Sequence, residues 1–392
     1  MTRSRLHIVQ TAAFPFPTRQ GSQIYVGGMA SALARRGHRV TLVCYGYGEG
    51  EWDPHVELRT VPVPAQYRNL RAGPDWMKPV LDVGLARLLC RLAPEADVLH
   101  AHNYEAPLAA YVARRMHGTP VVYNNHNTMS EELHRYFQSW PAQKAAKLLG
   151  WALDRSVPRH ADASVAISRE AEPLLKSLGC RRVRHIPPGV DLKDFEGANR
   201  EEARAELELG ERVWVVYAGN PDAYQDLEVL IDAVSQDSDL GLLMISASEW
   251  GHWEERASQI PQDRKRFVRA KTWPKTRQLL SAGDIAALPR AIGSGYPIKL
   301  LNYLGLRLPV VCAEGSARAE SGIVSVPNGD VSAFRGALRR LADDPQKRKK
   351  MGQEGRTWLE QFCSWDARAA DLEQLYEEIM TVQSDRRRRS LP

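Results

Sequence analysis

The chain has 392 residues, 43% of them hydrophobic and 26% charged, with ten tryptophans and a formal net charge of +6. That length exceeds what one hydrophobic core organises, and at ~150 residues per domain it predicts two domains; the composition excludes a disordered or fibrous protein. No apolar stretch approaches the ~20 residues that cross a bilayer, and the basic residues are interspersed with acids and carry no nucleic-acid motif.

The start, MTRSRLHIVQTAAF, holds only a short, interrupted apolar run, which reads as a first strand rather than a signal peptide, so a cytoplasmic protein is expected. Cys44, Cys90, Cys180, Cys312 and Cys363 form no C-x-x-C pair and point to reduced core thiols, not to a zinc site or a disulfide framework. LHIVQ (6–10), VTLVCY (40–45), VLHAH (98–102), VVYNN (121–125) and ASVAIS (163–168) are continuous rather than alternating, as in parallel strands covered on both faces. After the first run, AAFPFPTRQGSQIYVGGMASALARRGH gives a proline-rich loop and a helix that ends at Gly37 as its C-cap. Gly21, Ser22 and Gln23 then stand at a helix N-terminus, where free N–H groups and the dipole favour anions. Gly27 and Gly28 permit close helix packing.

VLHAH delivers His100 and His102 to a strand end, and VVYNNHN delivers His126. Three imidazoles at neighbouring strand ends either bind a metal or, the preferred reading for His126, bond a substrate hydroxyl; no carboxylate sits at ligand spacing beside them. Residues 132–160 mix aromatics with Lys144, Lys147, Arg155 and Arg159, the composition of a membrane-surface helix or of a buried helix with a solvated basic edge.

A polar stretch near 190–210 reads as a linker, after which the pattern restarts with VWVVYAG at 213, LLMIS at 242, IAAL at 285, VVC at 310 and IVSV at 323. The fold class is therefore α/β, with two Rossmann-like doubly wound domains facing a cleft: residues 1–195, residues 196–365, and a final helix at 366–392 with a disordered basic tail. Ligands of such folds lie beyond the carboxyl ends of the strands. There the stretch GSGYPIKLLNYLGLRLPVV (293–311) leads through Ser294, Gly295, Tyr296, Pro297 and Ile298 into a helix, read as beginning near Pro297. Lys299, Asn302 and Tyr303 share one face, while Leu300, Leu301 and Leu304 face the core. Arg290, at the end of DIAALPR, is a second cation, and guanidinium grips phosphate well. FCSW (362–365) kinks the path between two last helical stretches.

In order and spacing these segments resemble the GT-B glycosyltransferases, in particular the large retaining family numbered four. LARRGHRVTLV, DVLHAHNYE, PVVYNNHN, ADASVAIS, RHIPPGVDLKDF, SAGDIAALPR, GYPIKLLNYLGLRLPVV and VPNGDVSAFRGALRRLADDP carry the resemblance over nearly the whole chain. It implies a nucleotide-sugar donor held by the second domain and a glycan, lipid-linked or small-molecule acceptor held by the first. It further implies hexosyl transfer with retention, no metal or other cofactor, and a last helix that crosses back to the first domain. The departing diphosphate oxygen then helps deprotonate the acceptor, in agreement with the absence of a hydrolase-type carboxylate pair.

The resemblance carries Gly21 to the donor-phosphate loop and His126 to the transferred sugar, and it assigns His102, Asn103 and Asn127 to the acceptor. It departs elsewhere: the family's two glutamates fall on Ser294 and Asn302, and its diphosphate-clamping arginine and lysine fall on Asn220 and Gln225, just after Gly219. Lys299 and Arg290 become the candidates to hold the diphosphate and Asn302 the ribose diol. Trp273, in FVRAKTWPKT, either stacks on the base or packs against its domain. A catalytically silent module that binds nucleotide or a partner protein is the alternative. A dinucleotide enzyme is disfavoured, since no G-x-G-x-x-G follows either first strand. Peripheral contact with the inner face of a membrane is a further expectation.

Overall fold

The computed structural model describes residues 5–389 except 19–20, 49, 65, 68–72, 74, 223–224 and 292–295, and the backbone alone of 384–389. The chain divides into two compact units, Met1–Gly189 with Trp365–Pro392, and Val190–Ser364.

Unit 1 is built on β1 (His7–Pro15), β2 (Arg39–Tyr45), β3 (Glu57–Val61), β4 (Val98–His102), β5 (Val121–Asn125), β6 (Ala163–Ala166) and β7 (Val183–His185). They form one parallel sheet in the order β3-β2-β1-β4-β5-β6-β7, so the winding direction reverses between β1 and β4. Its first six helices are α1 (Gly21–Arg35), α2 (Lys78–Leu92), α3 (Glu105–His117), α4 (Met129–Glu132), α5 (Trp140–Ser156) and α6 (Ala171–Ser177). One face of the sheet packs Val9, Leu99 and Ala101 against Leu81, Leu85 and Leu89 of α2 and Ala106 and Ala110 of α3. Such two-sided burial is why the strands read as unbroken apolar runs.

Unit 2 carries β8 (Val213–Ala218), β9 (Leu240–Ser246), β10 (Lys265–Arg269), β11 (Ile285–Leu288), β12 (Val310–Ala313) and β13 (Ile323–Val326), in the order β10-β9-β8-β11-β12-β13. Its helices are α7 (Arg200–Glu206), α8 (Leu227–Ser235), α9 (His252–Arg256), α10 (Trp273–Leu280), α11 (Ile298–Gly305), α12 (Val331–Ala342) and α13 (Pro345–Phe362). Here the reversal lies between β8 and β11. Open parallel sheets bind ligands at such reversal points, which directs attention to the ends of β1, β4, β8 and β11.

α14 (Trp365–Arg389) belongs to unit 1, where Glu373 takes a forked bond from Arg36 (2.6 and 2.7 Å) and lies 3.0 Å from His38 Nε2. The chain enters it sharply: α13 ends at Phe362, and Val190 N–H donates to the Cys363 carbonyl (2.7 Å). Gly28 sits under α14, since a Cβ there would lie 2.4 Å from Trp365 Cε2. That is the close packing expected of this glycine.

Two expectations are corrected. The 190–210 stretch is folded rather than a linker: Asp191 caps a 3-10 turn at Leu192–Phe195, and the Asn199 side chain caps α7. Arg386 to Arg389 continue α14 rather than forming a disordered tail.

Candidate functional site

In unit 2, α11 begins at Ile298 with Pro297 as its cap (φ −77, ψ 88), one residue later than the sequence suggests. Leu300, Leu301 and Leu304 are fully buried, which fixes the rotation of the helix and turns Lys299 toward the end of β8. Tyr303 is also fully buried: its hydroxyl accepts from Ala218 N–H (3.0 Å) and donates to the Ala218 carbonyl (3.3 Å). It ties α11 to β8 and does not face a ligand.

Lys299 Nζ donates to Tyr217 Oη (2.7 Å), Gln225 Oε1 (2.7 Å) and Asn220 Oδ1 (3.3 Å), and lies 4.8 Å from the centre of the Tyr217 ring. All three ammonium hydrogens therefore have acceptors. Gly219 makes room for the lysine, since a Cβ there would lie 2.1 Å from Lys299 Cε. The loop is closed by Gln225 Nε2 donating to Asn220 Oδ1 (3.1 Å), Tyr217 O–H to the Asn220 carbonyl (2.8 Å) and Asn220 Nδ2 to Asp222. Asn220 and Gln225, the two positions where the resemblance leaves cations missing, both touch a cation that α11 supplies.

Burial pulls the Lys299 ammonium well below the usual lysine range, and the nearby Arg290 charge adds to this while Asp222 opposes it. Arg290 is half-buried at the end of β11, its carbonyl accepting from Ser316 Oγ (2.7 Å). The next residue, Ala291, donates its N–H to Asp226 Oδ2 (2.7 Å), the residue that opens α8 with φ 53.

Asn302 is half-buried on α11, and Ile298 is likewise partly open. The Tyr296 hydroxyl donates to the Arg318 carbonyl (3.3 Å). Ser294 and Gly295 lie outside the described residues. Trp273 packs: its indole N–H donates to the Asp194 carbonyl (3.0 Å) and its ring meets Phe195 edge-on at 6.0 Å. Of the two readings for this residue, packing is the one observed.

In unit 1, Gly21 opens α1 in an exposed position with Ser22 half-buried behind it. On the α1 and α14 side of the sheet the ends of β4 and β5 assemble a buried polar group. His100 stacks on His102 (4.6 Å between ring centres), and His102 Nδ1 lies 3.1 Å from His126 Nε2. His100 Nδ1 is 2.7 Å from the Tyr376 hydroxyl and Nε2 is 3.1 Å from Asn124 Oδ1, which also accepts from Tyr25 O–H (3.2 Å). A carbonyl oxygen only accepts, so His100 carries its proton on Nε2 and receives Tyr376 O–H at Nδ1.

His102 Nε2 is buried without a partner. A buried acceptor left open costs less than a buried N–H left open, which puts the His102 proton on Nδ1, donated to His126 Nε2. His126 then holds its own proton on Nδ1. Burial pushes His100 down to about 4 and His126 to about 3, and lowers His102 as well, with the neighbouring imidazoles adding to the effect at His102 and His126. All three are neutral near pH 7.

The metal alternative fails for His100, whose two nitrogens are both committed, and among the described residues no three His, Cys, Asp or Glu side chains gather as a metal set. His102 is corrected from acceptor contact to support, being fully buried behind His126. Asn127 is also committed locally, its Nδ2 donating to Glu132 Oε2 (2.7 Å). Asn103 is half-buried in the left-handed region (φ 64), its N–H on the Asn124 carbonyl (3.1 Å). Sequence reasoning missed Tyr25, Asn124, Tyr217 and Tyr376. Asn124 lies within VVYNNHN and Tyr25 one turn beyond Gly21, but nothing local marks Tyr376, 276 positions from His100.

Residues 19–194 match Glycosyltransferase Family 4, and residues 212–344 match Glycosyl transferases group 1. The D-inositol 3-phosphate glycosyltransferase of Salinispora tropica is 26% identical over 320 residues, covering 74% of this chain and 65% of that relative. The enzyme of the same name from Saccharomonospora viridis is 24% identical over 398 residues, covering 92% of this chain and 90% of its own. Among solved structures, sucrose-phosphate synthase from Thermosynechococcus elongatus shares the fold at a TM-score of 0.78 and 20% identity, covering 96% of this chain and 100% of that one. On these matches, and on two parallel sheets that each reverse their strand order, the chain belongs to the family-four-like GT-B glycosyltransferases.

Proposed function

We propose that this transferase moves a sugar from a nucleotide-sugar bound by unit 2 to a hydroxyl of a glycan, lipid-linked or small-molecule acceptor bound by unit 1, with retention and without a metal. The observation that carries the reading is Lys299, whose ammonium group is held against the end of β8 by neutral acceptors. Its charge is not cancelled by a carboxylate on Nζ, so it is available to a diphosphate, whose oxygens gain negative charge as the sugar departs. A fixed cation in a partly desolvated site stabilises that charge without reorganisation. Binding would exchange one amide acceptor for a phosphate oxygen. Arg290 adds positive potential, and Asn302 can give and take hydrogen bonds with the ribose diol.

His126 enters as a neutral donor. With its pKa near 3 it is no cation at physiological pH, and its Nδ1–H offers a hydrogen bond to a sugar or acceptor oxygen. The departing diphosphate oxygen takes the acceptor proton, so no protein base is required. The names of the two relatives make an inositol phosphate the first acceptor to try, and peripheral membrane contact would suit a lipid-linked one.

The test is release of nucleoside diphosphate from UDP-, GDP-, dTDP- and ADP-sugars in the presence of acceptors, with and without EDTA. Turnover with one donor, unaffected by chelation, is the expected result. Ligand-dependent melting with no turnover across the panel would instead favour a silent nucleotide-binding module.

A further inference from the structure

We propose that α2, α3 and α5 of unit 1 form a docking face for an anionic lipid bilayer. Twelve of the sixteen exposed large hydrophobic side chains among the described residues fall between Trp76 and Trp151. Trp76 is 76% exposed, Trp140 71%, Met116 65% and Leu148 64%. Apolar exposure concentrated in this way marks an interaction surface, whereas scattered single residues would not.

The three helices are neighbours. α2 and α3 share the core beneath them, and α3 is joined to the α5 region by Tyr104 O–H on Asp154 and by Tyr111 O–H on the Val157 carbonyl (2.7 Å). The outward residues of α3, Leu108, Val112 and Met116, are spaced i, i+4, i+8 in one stripe. On α5, at ~100° per residue, Trp140, Lys144, Lys147 and Trp151 fall within ~60° of one another. Lys144 lies 5.3 Å from the Trp140 ring centre and Arg155 4.8 Å from that of Trp151.

Charge decides the occupant. The three helices hold eight lysines and arginines against three carboxylates, and each carboxylate is engaged: Asp82 by Tyr45 O–H, Glu105 by Lys78, and Asp154 by Tyr104 O–H with Met129 and Ser130 N–H. Bases set within an apolar face are unfavourable at the centre of a protein interface, which is depleted of charge. They are favourable at a bilayer surface, where the apolar stems of lysine and arginine lie along the tails, the charged ends reach anionic headgroups, and tryptophan sits at the boundary. Among the described residues no helix is long and apolar enough to cross a membrane, so the face would lie on the bilayer.

The experiment is flotation of the full chain with phosphatidylcholine vesicles, with and without phosphatidylglycerol. The chain should float with the anionic vesicles, less so as salt is raised. Trp140→Ser with Trp151→Ser, and Lys144→Glu with Lys147→Glu, should each lower the bound fraction by ~10-fold, while Leu174→Ser on α6 leaves it unchanged. All of these side chains are exposed, and melting curves verify that the variants fold. No flotation at low salt, or binding that neither double variant weakens, overturns the proposal. So does a lipid-free dimer that the tryptophan variant dissociates when the chain binds no vesicles, since a second copy would then cover the face. Flotation reads lipid binding alone, so its failure is distinguishable from a failure of sugar transfer.

Discussion

The end of β4 and β5 in unit 1 and the end of β8 in unit 2 are both buried polar groups at a reversal of strand order, yet they hold charge differently. In unit 1 the imidazoles of His100, His102 and His126 face one another, a tyrosine hydroxyl and an amide oxygen, and burial outweighs the Asn124 bond that favours a protonated His100. In unit 2 Lys299 is half-buried, its ammonium group also lowered by desolvation, and it spends all three hydrogens on a phenol and two amide oxygens. Unit 1 thus offers neutral donors and acceptors suited to hydroxyls, and unit 2 offers a cation suited to phosphate. The partners are alike, a tyrosine hydroxyl and amide oxygens in both; the difference lies in the amine's greater intrinsic basicity and in the partial exposure of Lys299.

Acid should break this comparison most strongly. His100 and His126 are held near 4 and near 3, while an unfolded imidazole titrates near ~6.5. Between these values the unfolded chain binds more protons, so stability falls as pH drops from ~6.5 toward ~4, by up to roughly 3 kcal/mol for a single histidine. Melting curves across that range should show the loss, and His126→Asn should flatten it. An unchanged pH dependence in the variant would mean that His126 is not the buried neutral group described.

A smaller effect is expected from Gly219→Ala. The new methyl group falls on Lys299 Cε and the backbone holds φ 154, where an L side chain is strained, so the variant loses some stability as the ammonium group is pushed aside and melting curves must show that it is folded. Nucleoside diphosphate affinity should drop by ~10-fold, about 1.4 kcal/mol, by calorimetry. Equal affinity would show that the position of the ammonium group is immaterial. Least affected should be Trp273→Phe, which keeps an aromatic ring, though a smaller one, and loses the indole N–H bond to the Asp194 carbonyl. Stability should fall by ~1 kcal/mol with nucleotide affinity unchanged within error, whereas a large affinity loss would restore the stacking role.

The strands were the most legible part of the sequence, because sheets covered on both faces leave unbroken apolar runs: VLHAH, VVYNN, IAAL and IVSV are bounded in the structure as they are in the sequence. The strands ELRTV, VRH and KRFVR escaped because they are short or carry charge at partly open edge positions. At the site, helical spacing put Lys299 on the correct face. What it reaches lay beyond local pattern, since Tyr217, Asn220 and Gln225 precede it by 82, 79 and 74 positions and are admitted only by the bare backbone of Gly219. The histidines were visible as strand ends, but the partners that hold His100 depend on Tyr376 and Asn124, brought in by α14 and the β4–β5 register.

The direct test of the account is the calorimetric affinity of the productive nucleoside diphosphate for the unmodified chain and for Lys299→Met. A hydrogen bond from a charged donor to phosphate contributes about 2 kcal/mol, so the variant should bind ~30-fold more weakly while melting as a folded protein. Equal affinity in a folded variant would contradict the assignment of Lys299 as the cation that holds the diphosphate.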